Sequence, residues 1–196
     1  MTRLRAANAA MRQVRSAEAI VAVLALAAAA ASLWAVPGLP GFLGAGLALV
    51  MLAIAAIDYR HLIIPDELSA VALALAIVNA AVDAPSTIEG VATAALRGAA
   101  CMLFFLALRF AYRRLRQREG LGLGDVKLAF VAGAWLDWAM IPVAIEIAAL
   151  GALAAYAAWQ IFGGRELNAT TRLPFGLFFA PAIWLAWLAG AILIPY

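Results

Sequence analysis

Gly120-Leu121-Gly122-Leu123-Gly124-Asp125-Val126-Lys127 joins a strongly basic run to an apolar segment, and Asp125 is its single acid. A glycine cluster of this kind breaks a helix, and Gly-x-Gly spacing also occurs in phosphate loops. No strand-like segment precedes it, and neither a Walker lysine pattern nor a dinucleotide-binding unit surrounds it, so the phosphate reading fails. Before the stretch lie Arg113, Arg114, Arg116 and Arg118; after it comes an apolar run, Val126 to Leu136. Dense arginine between two apolar segments marks a turn on the cytoplasmic side of a membrane.

The rest of the chain has the composition that this turn requires. Of 196 residues, 67% are hydrophobic and 13% charged, and the mean hydropathy of +1.00 is not that of a water-soluble globule. Apolar runs of roughly 20 residues recur throughout, which is the length that spans a bilayer as helix. The net charge of +3 resides in short arginine-bearing loops, so it is a topology signal and not a nucleic-acid footprint. The lone Cys101 lies in an apolar segment, which leaves neither a disulfide framework nor a cysteine zinc cluster; a core thiol is the expectation.

Working outward from the turn gives an all-α polytopic protein of about seven transmembrane helices with a cytoplasmic N-terminus. Residues 1–18, with Arg3, Arg5, Arg12 and Arg15, form a basic cytoplasmic segment, and residues 19–196 form the transmembrane domain. A removable signal is not expected, because the polar lead-in is long and no cleavage context follows. The predicted spans are Ala19–Val36, Phe42–Ile57, Glu67–Val82, Gly90–Tyr112, Val126–Leu136, Pro142–Phe162 and Pro174–Ile194. The fifth is short: 11 residues rise only about 16 Å against a hydrocarbon core of ~30 Å. Loops 58–67, 113–125 and 163–173, carrying Arg60, Arg165 and Arg172 besides the dense run, fall on the cytoplasmic side.

This topology sets Asp58 and Asp125 on the same face although they are far apart in sequence. A carboxylate within reach of hydrocarbon is costly and marks function. Asp is also a good helix cap, and Asp125 is well placed to cap the fifth helix, so topology alone leaves both readings open. Pro65 disfavours helix at Ile64 and suits the first turn of the helix after it.

The combination of residues carries a resemblance. Asp58 followed by Pro65, then Gly122-Leu123-Gly124-Asp125-Val126-Lys127, then Ala132-Gly133-Ala134-Trp135-Leu136, then Leu173-Pro174-Phe175-Gly176, resembles the type IV prepilin peptidases, membrane aspartyl proteases of the GxGD class. The likeness covers roughly residues 42 to 190. It implies an aspartic endopeptidase of the bacterial inner membrane that removes the leader of prepilin or pseudopilin substrates at the cytoplasmic face. It also implies Asp58 and Asp125 as the catalytic pair, with Asp66 the runner-up for the first acid. Gly122 and Gly124 would admit an extended substrate, and Lys127, Pro65, Pro174 and Gly176 complete the motif. No metal and no organic cofactor is implied. Bifunctional members carry two Cys-x-x-Cys pairs and methylate the new N-terminus; with one cysteine, this chain resembles the peptidase-only form. The oligomeric state is not legible.

Other residues have plainer explanations. His61 is a loop residue, Lys127 serves equally as a positive-inside anchor, and Trp34, Trp138, Trp159, Trp184 and Trp187 suit interfacial or packing roles. Ala27 to Ala31 offers a small-residue face. Arg97 and Glu146, about 10 Å and 6 Å from the outer ends of their helices, are expected to form a structural charge pair. Two further functions fit the composition: a non-catalytic pilus or secretion assembly factor, and a carboxylate-based transporter or proton relay using Asp58, Asp125 and Glu146. The relay predicts acids spread through the membrane depth, whereas two of these lie at one face. A presenilin-like protease is excluded, because Asp58-Tyr59 and Ala180-Pro181-Ala182 depart from its motifs.

Overall fold

The computed structural model describes residues 2–83, 86–117, 120–162 and 174–193, without the side chains of 2–18, 83 and 162. Over these residues the chain forms seven helices: α1 (Thr2–Ala35), α2 (Leu39–His61), α3 (Asp66–Asp83), α4 (Thr87–Arg116), α5 (Leu123–Trp135), α6 (Met140–Phe162) and α7 (Phe175–Leu193). Arg118, Arg165 and Arg172, on which part of the topology reading rested, lie outside the described residues, as do Leu173 and Ile194.

The predicted number of helices matches, and their ends differ in an instructive way. Helices follow backbone hydrogen bonding and not hydropathy, so α2, α4 and α5 run on into polar sequence. Asp58 therefore lies in the last turn of α2, not in a loop. The α2–α3 connection is only 62–65, and it opens with Leu62 in the left-handed region at φ 55°. Asp125 likewise sits inside the first turn of α5. By length and apolar composition four helices can cross a bilayer: α2, α4, α6 (as Met140–Ile161) and α7. The apolar part of α1, Ala19–Ala35, is shorter, and α5 with 13 residues rises about 20 Å.

Packing divides the helices into two groups. α2 packs on α1, α3 and α7, and α6 packs on α7; α3, α4 and α5 pack mutually. α5 touches both groups and is the most enclosed helix, with Leu128, Ala129, Val131, Ala132, Ala134 and Trp135 all buried. A helix apolar on all sides belongs in an interior. Close approach of α4 and α5 depends on small residues. A Cβ at Gly133 would lie 2.5 Å from the Arg97 carbonyl oxygen, and one at Gly98 would lie 2.9 Å from that of Phe130. This is the small-residue contact by which apolar helices associate without a hydrophobic driving force between them. Aromatic stacking of Phe179 with Phe105 and Phe175 fills the space between the groups, and the indole of Trp184 donates to Ser32 Oγ at 2.9 Å, tying α7 to α1.

The Arg97–Glu146 pair does not form. Arg97 Nη1 meets Asp137 Oδ1 at 2.6 Å and its Nε donates to the Gly133 carbonyl at 3.3 Å, both across the α4–α5 contact. Glu146 is exposed on α6, a helix that does not pack closely on α4. Distance along each helix put the two charges at similar depth, but depth says nothing about which helices are neighbours.

Candidate active site

The two acids that the sequence singled out line one cavity. Its empty volume is about 1040 Å³, open space at its mouth included, and its walls include Asp58, Ile64, Pro65, Asp66, Gly122, Gly124, Asp125 and Lys127. Two stretches meet there, the end of α2 with the start of α3 and the loop that leads into α5, and the first turn of α7 backs Asp58. The cavity thus sits at the seam between the two helix groups, with Asp58 on one side and Asp125 on the other.

Each carboxylate is held by a backbone amide of a helix start. Asp58 is buried, and its Oδ2 accepts the Leu177 N–H at 2.9 Å. Leu177 stands in the first turn of α7, where backbone N–H groups have no partner within the helix and favour negative charge. Asp125 is also buried, and its Oδ2 accepts the Gly122 N–H at 3.1 Å. Asp125 therefore does reach back to cap its own helix. That bond engages one of the two oxygens, so capping and chemistry are compatible at the same residue. Both carboxylates border the same cavity.

The glycines of the site are where they are for space. A Cβ at Gly176 would stand 2.8 Å from Asp58 Oδ2 and 3.0 Å from Ile64 Cδ1; one at Gly124 would stand 3.0 Å from Ile64 Cβ. Ile64, buried beside Pro65, is thus wedged between the two motif glycines and links the Asp58 side of the seam to the Asp125 side. Pro174 precedes α7 directly, where its missing N–H costs no helix hydrogen bond.

Asp66 and Lys127 meet across the cavity mouth. Lys127 Nζ lies 2.6 Å from Asp66 Oδ1, joining the first turns of α3 and α5, and both side chains are largely exposed. Asp66 is the first residue of α3, more than half exposed and engaged by a lysine, whereas Asp58 and Asp125 are buried. That contrast separates it from the pair. His61 is exposed at the end of α2 and does not line the cavity. Arg109 of α4, which the sequence reading passed over, reaches the loop before α5: its Nη1 donates to the Leu121 carbonyl. Its place beside the run at 113–118 made it look like another topology charge.

Among the described residues no group of three His, Cys, Asp or Glu side chains could hold a metal ion. Cys101 is buried on α4 near Gly133, away from the cavity.

A profile of the type IV leader peptidase family matches residues 45–158, a range that includes both acids and the glycine loop. The prepilin leader peptidase/N-methyltransferase of Burkholderia pseudomallei is 34% identical over 137 residues, 69% of this chain and 42% of that protein. The leader peptidase HopD of Escherichia coli is 32% identical over 125 residues, 64% of this chain and 78% of that protein. The prepilin leader peptidase/N-methyltransferase of Aeromonas hydrophila is 28% identical over 144 residues, covering 74% of this chain and 48% of its own length. The matches thus take in less than half of these two larger relatives. No solved structure matches. With more than half of its residues matched by that profile, and with its two buried acids and glycine loop inside the match, the chain is a multi-pass membrane protein of the type IV leader peptidase family.

Proposed function

We propose that the chain is a membrane-embedded aspartic endopeptidase that cleaves the leader from type IV prepilin-like proteins at the cytoplasmic face of the bacterial inner membrane. The observation that carries this reading is the meeting of Asp58 and Asp125, both buried, from distant parts of the chain in one cavity. The acids sit at one face, which favours the peptidase over a relay running through the membrane.

The chemistry follows from two carboxylates that sense each other. Both do not readily ionise together, so the pair holds one proton over a working range of pH. The ionised member takes a proton from water, which attacks the scissile carbonyl. The protonated member donates a hydrogen bond to that carbonyl oxygen as negative charge develops on it. The carboxyl that took the proton from water then gives it to the leaving amine as the C–N bond breaks, and the pair is left with its single proton. The Leu177 and Gly122 amides keep each carboxylate in place through these proton transfers. Gly122 and Gly124 leave room for an extended substrate backbone, and the Lys127–Asp66 pair borders its approach. Residues 19–196 form the peptidase domain and 1–18 the basic cytoplasmic lead-in.

The test is cleavage of a purified prepilin by the protein reconstituted in liposomes. Asp58→Asn and Asp125→Asn are each expected to abolish product while the protein still inserts and remains monodisperse in detergent. Full cleavage by either variant removes that residue from the pair.

A further inference from the structure

We infer that Arg109 and Tyr112 of α4 are positioning residues for Asp125, clamping from outside a loop too rich in glycine to hold itself. This rests on the peptidase reading for its functional consequence. The geometry stands by itself.

Gly120, Gly122 and Gly124 supply half of the residues between 120 and 125. Glycine loses more conformational freedom on folding than any other residue, so such a loop is intrinsically loose. Yet the Gly122 amide must be fixed, because it is what holds Asp125 Oδ2. α4 grips the loop at two successive residues. The Tyr112 ring packs so closely on Gly120 that a Cβ there would lie 2.4 Å from Cε1. Arg109 Nη1 donates to the carbonyl of the next residue, Leu121. Arg109 and Tyr112 are three residues apart and so share one helix face. The Leu121 carbonyl belongs to the same peptide unit as the Gly122 N–H, so fixing its oxygen fixes the donor to Asp125.

Arg109 is set apart from the arginines that follow it. It is half-buried, whereas Arg113, Arg114 and Arg116 are exposed. A charge drawn inward on an apolar helix is unfavourable without a dedicated partner.

The experiment compares wild type with Arg109→Gln, Arg109→Lys, Tyr112→Ala and Arg113→Gln in two assays. Amide hydrogen exchange of the segment spanning 120–125 reads the clamp directly and needs no activity. Arg109→Gln and Tyr112→Ala are expected to speed exchange there by tenfold or more, and Arg113→Gln to leave it unchanged. Unchanged exchange in both clamp variants overturns the proposal. In the cleavage assay, Arg109→Gln is expected to lower kcat about 100-fold, the scale of a 1 Å misplacement, with KM within about twofold. It should also move the acid limb of the pH profile to higher pH, since the Gly122 N–H bond that favours the ionised carboxylate is loosened. Arg109→Lys should restore that limb while kcat stays reduced. A uniform loss at every pH, recovered by none of the variants and accompanied by a lower Tm, would make Arg109 merely structural and overturn its role. Failure of the peptidase reading itself appears differently: Asp125→Asn would then cleave like wild type, or wild type would not cleave, while the exchange result still decides the clamp.

Discussion

Asp58 and Gly176 show how a residue can be legible while its reason is not. The sequence marks Asp58 by its boundary position and by its companion Asp125. Nothing in it says that the carboxylate lies against the Cα of Gly176, because that contact exists only once α2 and α7 are packed. Gly176→Ala would push a methyl group to 2.8 Å from Asp58 Oδ2. Cleavage is expected to fall by about 100-fold, the scale of a 1 Å displacement of a reacting group, with little change in the yield of folded protein. Wild-type kcat for this variant would show that the carboxylate has slack. Asp66→Asn loses an exposed ion pair and is expected to cost less than tenfold, because such pairs contribute at most about 1 kcal/mol. The pH dependence follows from the same pair of acids. Activity should fall as pH rises through the upper apparent pKa, where both become ionised. It should fall again as pH drops through the lower one, where both are protonated. These two values belong to the pair and not to either residue. A rate that climbs monotonically from pH 4 to 9 would exclude a shared proton.

At the scale of elements, the seven apolar segments were legible from hydropathy and the helix ends were not. Hydropathy marks where lipid ends, whereas hydrogen bonding carried α2 through Asp58 to His61 and started α5 at Leu123. Which helices are neighbours was also illegible, and the misassigned partner of Arg97 is the consequence. Gly98 and Gly133 bring α4 and α5 together closely enough for Arg97 to reach the Gly133 carbonyl and Asp137. Gly133→Ala is therefore expected to destabilise the purified protein by about 1–3 kcal/mol through overpacking against backbone that cannot yield. In a double-mutant cycle, Arg97→Ala and Asp137→Ala should couple by about 1 kcal/mol, since one member is half exposed. Arg97→Ala with Glu146→Ala should be additive. The opposite pattern would restore the pairing that depth alone had indicated.

The whole molecule poses a problem that its shortest helix states most sharply. α5 rises about 20 Å where the hydrocarbon core is ~30 Å thick, yet it carries Asp125 at one end and leads to Asp137 beyond the other. Its enclosure resolves the difficulty: most of α5 is buried against the other helices, so its length need not match the bilayer, and backbone freed at its ends can be satisfied by protein or water. A second cavity lies at its far end, lined by Arg97, Asn79, Trp135 and Asp137, so polar surroundings exist at both ends of the helix. The chain should therefore cross the membrane at α5, and not return to the side it came from. Single cysteines placed in a Cys101→Ser background test this with a membrane-impermeant maleimide on sealed, oriented vesicles. Cysteines at His61, Arg113 and Leu123 should label from one side, and those at Leu39 and Trp138 from the other; all five positions are exposed. Labelling of positions 123 and 138 from the same side would make α5 re-entrant. It would also invert α6 and α7, removing the first turn of α7 from the face where its Leu177 amide holds Asp58.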